Sequence, residues 1–219
     1  MIFKYGKKEI DYLKSRDKKL GEVIDQIGRI RWEVEPDLFA AVVQNIVAQQ
    51  ISGSAAASIL ERLWEKLGGV TPETVAQTDV QAFRECGVSQ RKAEYIKEFA
   101  DKIMTGAFDL AAVAKMPDAE VITALTSLRG IGVWTAEMLL LFTLQRPDVL
   151  SFGDLGIHRG MRMVYRHREI TRALFEKYRR RLSPFGSVAS LYFWAVAGGD
   201  IPGLTDPGAR KRPAKKGKD

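Results

Sequence analysis

The sequence predicts an all-α protein. Three observations carry that prediction: apolar residues recur at helical spacing, capping residues stand where the stripes begin, and no alternating runs pair as strands would. The first clear stripe is Phe39, Val42, Val43, Ile46 and Val47, and the second is Ile59, Leu60, Leu63, Trp64 and Leu67. Gly68-Gly69 closes the second helix, and Thr71-Pro72-Glu73 opens a short one with a cap and a proline at its first position. Ser89 is the expected cap of a helix running to about Thr105, where Gly106 ends it. Asp118 is the expected cap of the next, with Val121, Ile122, Leu125 and Leu128 on its buried side. Two basic amphipathic stretches follow at about 155–166 and 171–182. A last helix near 187–197 is apolar almost all round, the pattern of deep burial. The expectation is about ten short helices joined by tight turns, then a Gly-, Pro- and Lys-rich tail from about Pro202.

With 219 residues, 46% hydrophobic and 28% charged, the chain has the composition of a globular protein with one sizeable core. No apolar run reaches the roughly 18 residues of a membrane span, so no membrane partner is expected. The N-terminal MIFKYGKKEIDYLK lacks the apolar stretch of a signal peptide, which makes a cytoplasmic, nucleoid-associated location the default. The single cysteine, Cys86, rules out an internal disulfide and a four-cysteine iron–sulfur cluster, and reads as a small buried hydrophobe. No His, Cys or Asp cluster has metal-ligand spacing.

The net charge of +7 points to an anionic partner, but it is unevenly spread. Residues 208–219 hold six Lys/Arg against Asp219, so the body is nearly neutral. Within it, residues 155–181 hold nine Lys/Arg against Glu169 and Glu176. That segment reads either as a phosphate-binding face or as a solvated helix face. Arg159, Arg162 and Arg166 would follow a DNA backbone in the first case. His158 and His167 lie in the same stretch and read as surface histidines that either touch phosphates or face water.

The most informative segment is Leu128-Arg129-Gly130-Ile131-Gly132-Val133-Trp134-Thr135-Ala136. Two glycines around one apolar residue allow a tight turn and close backbone approach, with Ile131 pointing inward. The helix starting near Val133 then presents its free N–H groups and positive dipole end, a natural seat for a DNA phosphate. About twenty residues on comes Asp154, in Ser151-Phe152-Gly153-Asp154-Leu155-Gly156-Ile157. On its own, Asp154 is an N-cap.

Taken together, Gly-Ile-Gly-Val-Trp-Thr-Ala and the downstream Asp-Leu-Gly-Ile resemble the helix-hairpin-helix superfamily of DNA glycosylases, and specifically its 3-methyladenine DNA glycosylase II branch in a compact form without an N-terminal β domain. The resemblance implies an all-α fold of about ten helices in two lobes, with the active-site cleft between them and the hairpin at about 119–143. The resemblance covers roughly residues 35–200, and the glycosylase domain is expected over 1–203, followed by a basic flexible tail at 204–219. It assigns Gly130, Ile131, Gly132 and Thr135 to DNA binding, and Arg159 of the basic stretch is expected to join them. It places a monovalent cation, Na+ or K+, on the backbone carbonyls of Thr126, Leu128 and Ile131. No other cofactor is implied, and a monomer acting on damaged double-stranded DNA is expected.

In this reading Asp154 is catalytic. Breaking an N-glycosidic bond builds positive charge on the sugar, which a fixed carboxylate stabilises. A purine alkylated on a ring nitrogen is cationic and leaves as a neutral base, so it needs little acid catalysis. Members of the superfamily that also cut the backbone carry a Lys two places after the second hairpin glycine. Here that place is Trp134, which implies no strand cleavage. Trp134 and Trp194 are the expected stacking surfaces for an everted base, with Met138 in the pocket where bacterial members often have Tyr. The string Gln49-Gln50-Ile51-Ser52 resembles the loop that fills the gap left by that base, which makes Gln49, Gln50 and Ile51 the wedge. Two alternatives remain at this point: a non-catalytic helix-hairpin-helix DNA-binding module, or a glycosylase for uracil or mismatched bases.

Overall fold

The computed structural model describes residues 1–208, and thirteen helices form among them. These residues contain no strand; Ile2 and Glu33 make one isolated antiparallel bridge. The all-α expectation holds, with three helices more than the approximate count read from the sequence. The chain divides into two compact units, one of Met1–Phe3 with Trp32–Arg146, the other of Lys4–Arg31 with the chain from Pro147 onward.

The chain begins with α1 (Lys7–Arg16) and α2 (Lys18–Ile27), both in the second of these units. The sequence reading started too late to include them, although Leu20, Val23 and Ile24 form a buried stripe on α2.

The first unit contains α3 (Leu38–Ala48), α4 (Gly53–Leu67), α5 (Pro72–Gln77), α6 (Val80–Glu85), α7 (Gln90–Met104), α8 (Leu110–Val113), α9 (Asp118–Thr126) and α10 (Val133–Phe142). Capping chemistry sets most of these starts. Asp37, Ser52, Thr71, Asp79 and Asp109 each accept a backbone N–H from the first turn of the helix that follows, at a gain of about 1 kcal/mol apiece. α3 is the centre of this unit, with Phe39 stacked on Phe99 of α7 at 5.1 Å between ring centroids. Gly68 ends α4 in the left-handed conformation, as the sequence suggests.

Two expected caps differ. Ser89 occupies the cap position of α7 without a side-chain bond to the helix. Pro117, not Asp118, caps α9, and Asp118 becomes its first helical residue. There its carboxylate faces the positive end of the helix and lies 3.5 Å from Arg146 Nε. Proline explains the shift, because its ring fixes φ near the value the cap adopts (−57°) and it has no N–H to satisfy.

The second unit joins α1 and α2 to α11 (Leu155–Tyr165), α12 (Arg172–Leu182) and α13 (Gly186–Gly198). Its polar knot is Asp17, 3% exposed. The Asp17 carboxylate caps α2 through Leu20 N–H at 3.0 Å and accepts from Tyr165 Oη at 3.1 Å and Arg181 Nη1 at 2.9 Å. Burial, reinforced by the neighbouring Asp17 charge, pushes the Tyr165 phenol well above its ordinary value.

The nine cations counted over 155–181 are partly neutralised by acids outside that window. Arg181 pairs with Asp17, and Arg162 pairs bidentately with Asp206 at 2.8 and 2.5 Å. The Arg162 guanidinium holds the Asp206 carboxyl below the usual carboxylate range. Thr205 O likewise accepts from Arg166 Nη1 at 3.0 Å. Residues 204–208, expected in a tail, are therefore tied to α11 and its C-terminus. The rest of the expected tail, residues 209–219, lies outside the described residues.

α13 is buried along nearly its whole length and packs closely on α11. Glycines on α11 allow the approach. A Cβ at Gly160 would lie 2.1 Å from Phe193 O, a contact that no side-chain movement relieves.

Candidate active site

In the first unit, α9 and α10 are joined by the turn 127–132. Gly130 has φ +86°, a conformation that L side chains rarely adopt. It also lies against Tyr95, so that a Cβ there would meet Tyr95 Cδ2 at 2.6 Å. Ile131 is buried as expected, and its N–H donates to Leu128 O at 3.2 Å, closing the turn. Gly132 is the N-cap of α10, and Val133 and Trp134 in the first turn are 57% and 47% exposed. The start of α10 is thus open to solvent, with amide N–H groups that the helix does not satisfy. Gly130→Ala should destabilise the protein by about 2 kcal/mol, combining the left-handed backbone with overpacking against Tyr95. Thermal unfolding checks this, and an unchanged midpoint would contradict the turn described.

A second loop stands beside this turn. Gln49, the C-cap of α3, donates from Nε2 to Gly130 O at 2.7 Å. Lys92 Nζ on α7 donates to Val47 O at 2.9 Å and to Gln49 O at 2.7 Å, holding the C-terminal end of α3. Burial lowers the Lys92 ammonium from its ordinary value, and Arg91 beside it acts the same way. The following residue, Gln50, is exposed with φ +58°. Ile51 is 39% exposed. Of the three expected wedge residues, Gln50 and Ile51 are thus outward, whereas the Gln49 side chain is engaged with the hairpin.

Asn45, Ala48, Gln49, Gln50, Gly130, Gly132, Trp134 and Thr135 line an open hollow of about 440 Å³. The structure gathers five expected DNA-binding residues, Gln49, Gln50, Gly130, Gly132 and Thr135, with Trp134 at one place. Met138, expected in a base pocket, is buried at 7% exposure and is not among the hollow's lining residues. Every turn of α10 is apolar, so spacing alone did not reveal which side faces inward.

In the second unit, Asp154 caps α11, accepting from Ile157 N–H at 2.8 Å through Oδ1. The same oxygen accepts from Trp194 Nε1 of α13 at 2.9 Å. Asp154 is 6% exposed, so its charge sits in a nearly dry setting. Gly156 makes room for the pair, since a Cβ there would lie 2.8 Å from Trp194 Cδ1 and 3.1 Å from Asp154 Oδ1. Asp154 and Trp194 are thus brought together, 40 residues apart in sequence.

Arg159, next on α11, is exposed. The two histidines are not solvated surface residues. His158 stacks on Phe175 and meets Phe152 edge-on at 4.8 Å, and His167 Nε2 bonds Tyr178 Oη at 2.8 Å. No group of three or more His, Cys, Asp or Glu suited to a metal occurs among the described residues. No described helix is long and apolar enough to cross a membrane.

Sequence reasoning missed Lys92, for which no local signal exists. It met Gly156 only as part of the motif after Asp154 and missed Gly160, although their four-residue spacing on one helix face was a usable sign of close packing.

Comparison with known proteins agrees with this geometry. The HhH-GPD superfamily of base excision DNA repair proteins matches residues 43–184. The chain is 32% identical over 164 residues to DNA-3-methyladenine glycosylase 1 of Schizosaccharomyces pombe, covering 73% of this chain and 72% of that protein. The crystal structure of a DNA-3-methyladenine glycosidase from Bacillus halodurans superposes with a TM-score of 0.80 at 34% identity, covering 90% of this chain and 93% of the other. The Schizosaccharomyces pombe 3-methyladenine DNA glycosylase in complex with abasic DNA gives a TM-score of 0.77 at 27% identity, covering 89% and 98%. With its glycine hairpin, capping aspartate and all-helical units, the chain belongs to the HhH-GPD superfamily of base excision DNA repair proteins, in the 3-methyladenine DNA glycosylase branch.

Proposed function

We propose that the protein is a monofunctional DNA glycosylase that hydrolyses alkylated, cationic purines out of duplex DNA. The observation that carries this reading is Asp154: a buried carboxylate at the head of a helix, with one oxygen fixed by two N–H donors. Such a group is preorganised to oppose positive charge developing on a sugar. The similar proteins named for 3-methyladenine supply the substrate class.

The DNA strand is gripped by the exposed amides at the start of α10, and Gln50 and Ile51 enter the base stack. The C1′–N bond breaks, and its electron pair returns to the base nitrogen and neutralises the departing purine. Water adds to C1′ and its proton passes to solvent, leaving an abasic site. Trp134 offers an exposed indole face to the cationic base, an attraction of about 0.5–2 kcal/mol. Trp134 also stands where a lyase would need an amine, so the phosphodiester backbone stays whole.

The hairpin backbone fits a monovalent cation. Thr126 ends α9, so its carbonyl lies beyond the helix's own donors. Leu128 O takes one N–H, from Ile131, and a carbonyl oxygen has a second lone pair. Thr126, Leu128 and Ile131 would hold the ion by these carbonyls, and it would supply positive charge for a DNA phosphate.

The test is base release from methylated duplex DNA, with free bases separated chromatographically and strands examined before and after alkali. Free 3-methyladenine is expected with strands intact until alkali is added. Nicking before alkali would overturn the assignment at Trp134, and absence of any free base would overturn the enzymatic reading.

A further inference from the structure

We propose that Trp194 is a positioning residue for Asp154, acting through its indole N–H rather than through its ring face. This deepens the proposed function and rests on it. Trp194 Nε1 lies 2.9 Å from Asp154 Oδ1, and Ile157 N–H reaches the same oxygen at 2.8 Å. A carboxylate held by its cap bond alone can still turn about its Cβ–Cγ axis. A second donor, arriving from another helix, fixes the plane of the group.

Two glycines show that the contact is built into the helix pair. Any side chain at 156 would start 2.8 Å from Trp194 Cδ1 and 3.2 Å from its Nε1, so the indole could not keep its place. One turn later, Gly160 lets the backbone of α13 reach van der Waals range of α11 at Phe193, the residue before Trp194. The approach of the two helices thus brings the indole N–H onto the carboxylate. At 6% exposure Asp154 has little access to water, and these two protein N–H groups take the place of solvent donors on that oxygen. Because they are fixed before substrate arrives, the charge need not reorganise as the sugar becomes cationic.

Trp194→Phe keeps an aromatic ring and removes the N–H, while Gly156→Ala keeps the indole but crowds both it and Asp154 Oδ1. Both are compared with the unaltered protein on two duplexes that contain no base at the target position. One carries a pyrrolidine abasic analogue, protonated at the sugar, and the other an uncharged tetrahydrofuran analogue. The unaltered protein is expected to prefer the cationic analogue. Each variant should lose about 10- to 100-fold of that preference, the effect of removing a hydrogen bond to a charged group, with binding of the neutral analogue little changed. In base release, kcat should fall with KM steady.

A stacking role for the ring predicts no change on DNA that lacks the base, so preference kept in both variants overturns this proposal alone. Equal loss of affinity for both analogues, or a fallen melting temperature with the preference intact, marks a merely structural tryptophan and overturns it too. If the unaltered protein shows no preference for the cationic sugar, the proposed reaction fails, and this inference with it.

Discussion

Asp154→Asn should slow base release by about 10²–10³-fold, the scale of losing one preorganised electrostatic group, or about 3–4 kcal/mol. The amide oxygen of asparagine can still accept from Ile157 N–H and Trp194 Nε1, so the cap of α11 and the contact with α13 persist. What disappears is the charge. Stability and affinity for undamaged duplex should therefore change little. Single-turnover release of 3-methyladenine, read beside thermal unfolding and fluorescence anisotropy, separates these quantities. A rate within threefold of the unaltered protein would end the case for Asp154 as the reacting group.

Gly160→Ala should be the most damaging substitution for stability. In an ordinary helix interior, alanine is favoured over glycine by roughly 0.5–1 kcal/mol. Here the sign reverses, because the new Cβ would lie 2.1 Å from Phe193 O and 2.8 Å from its Cα. Backbone cannot swing aside as the end of a long side chain can, so the two helices must separate. A loss of about 3 kcal/mol follows from overpacking of this kind, or about 6–12 °C in melting temperature for a chain of this size. Base release should fall as well, since Asp154 caps one helix and Trp194 rides on the other. A raised melting temperature would show that α11 and α13 do not approach as described.

The parts of this molecule that were legible in its sequence are those set by neighbours along the chain. The hairpin needs only Gly130, Ile131 and Gly132 between two apolar helices, and the cap at Asp154 needs only the helix that follows it. Both stand where the pattern put them. Contacts across long sequence separations were not legible. Nothing near residue 92 announces that its ammonium will hold the carbonyls of residues 47 and 49, 45 and 43 positions away. Nothing near 155–181 reveals that Asp17 and Asp206 will neutralise two of its arginines. The orientation of the Gln49 side chain was not legible for the same reason. The loop was recognisable, but the side chain of Gln49 turns to a carbonyl 81 residues on.

The staple that Lys92 and Gln49 place on the 47–50 segment bears on the wedge role proposed for Gln50. Ordering a free residue costs about 1–2 kcal/mol of backbone entropy at each encounter. Here that cost is met once, during folding, and Gln50 is presented in its left-handed conformation before any nucleic acid arrives. If Gln50 is the wedge proposed above, a segment stiffened in advance would enter a duplex without incurring that ordering cost again.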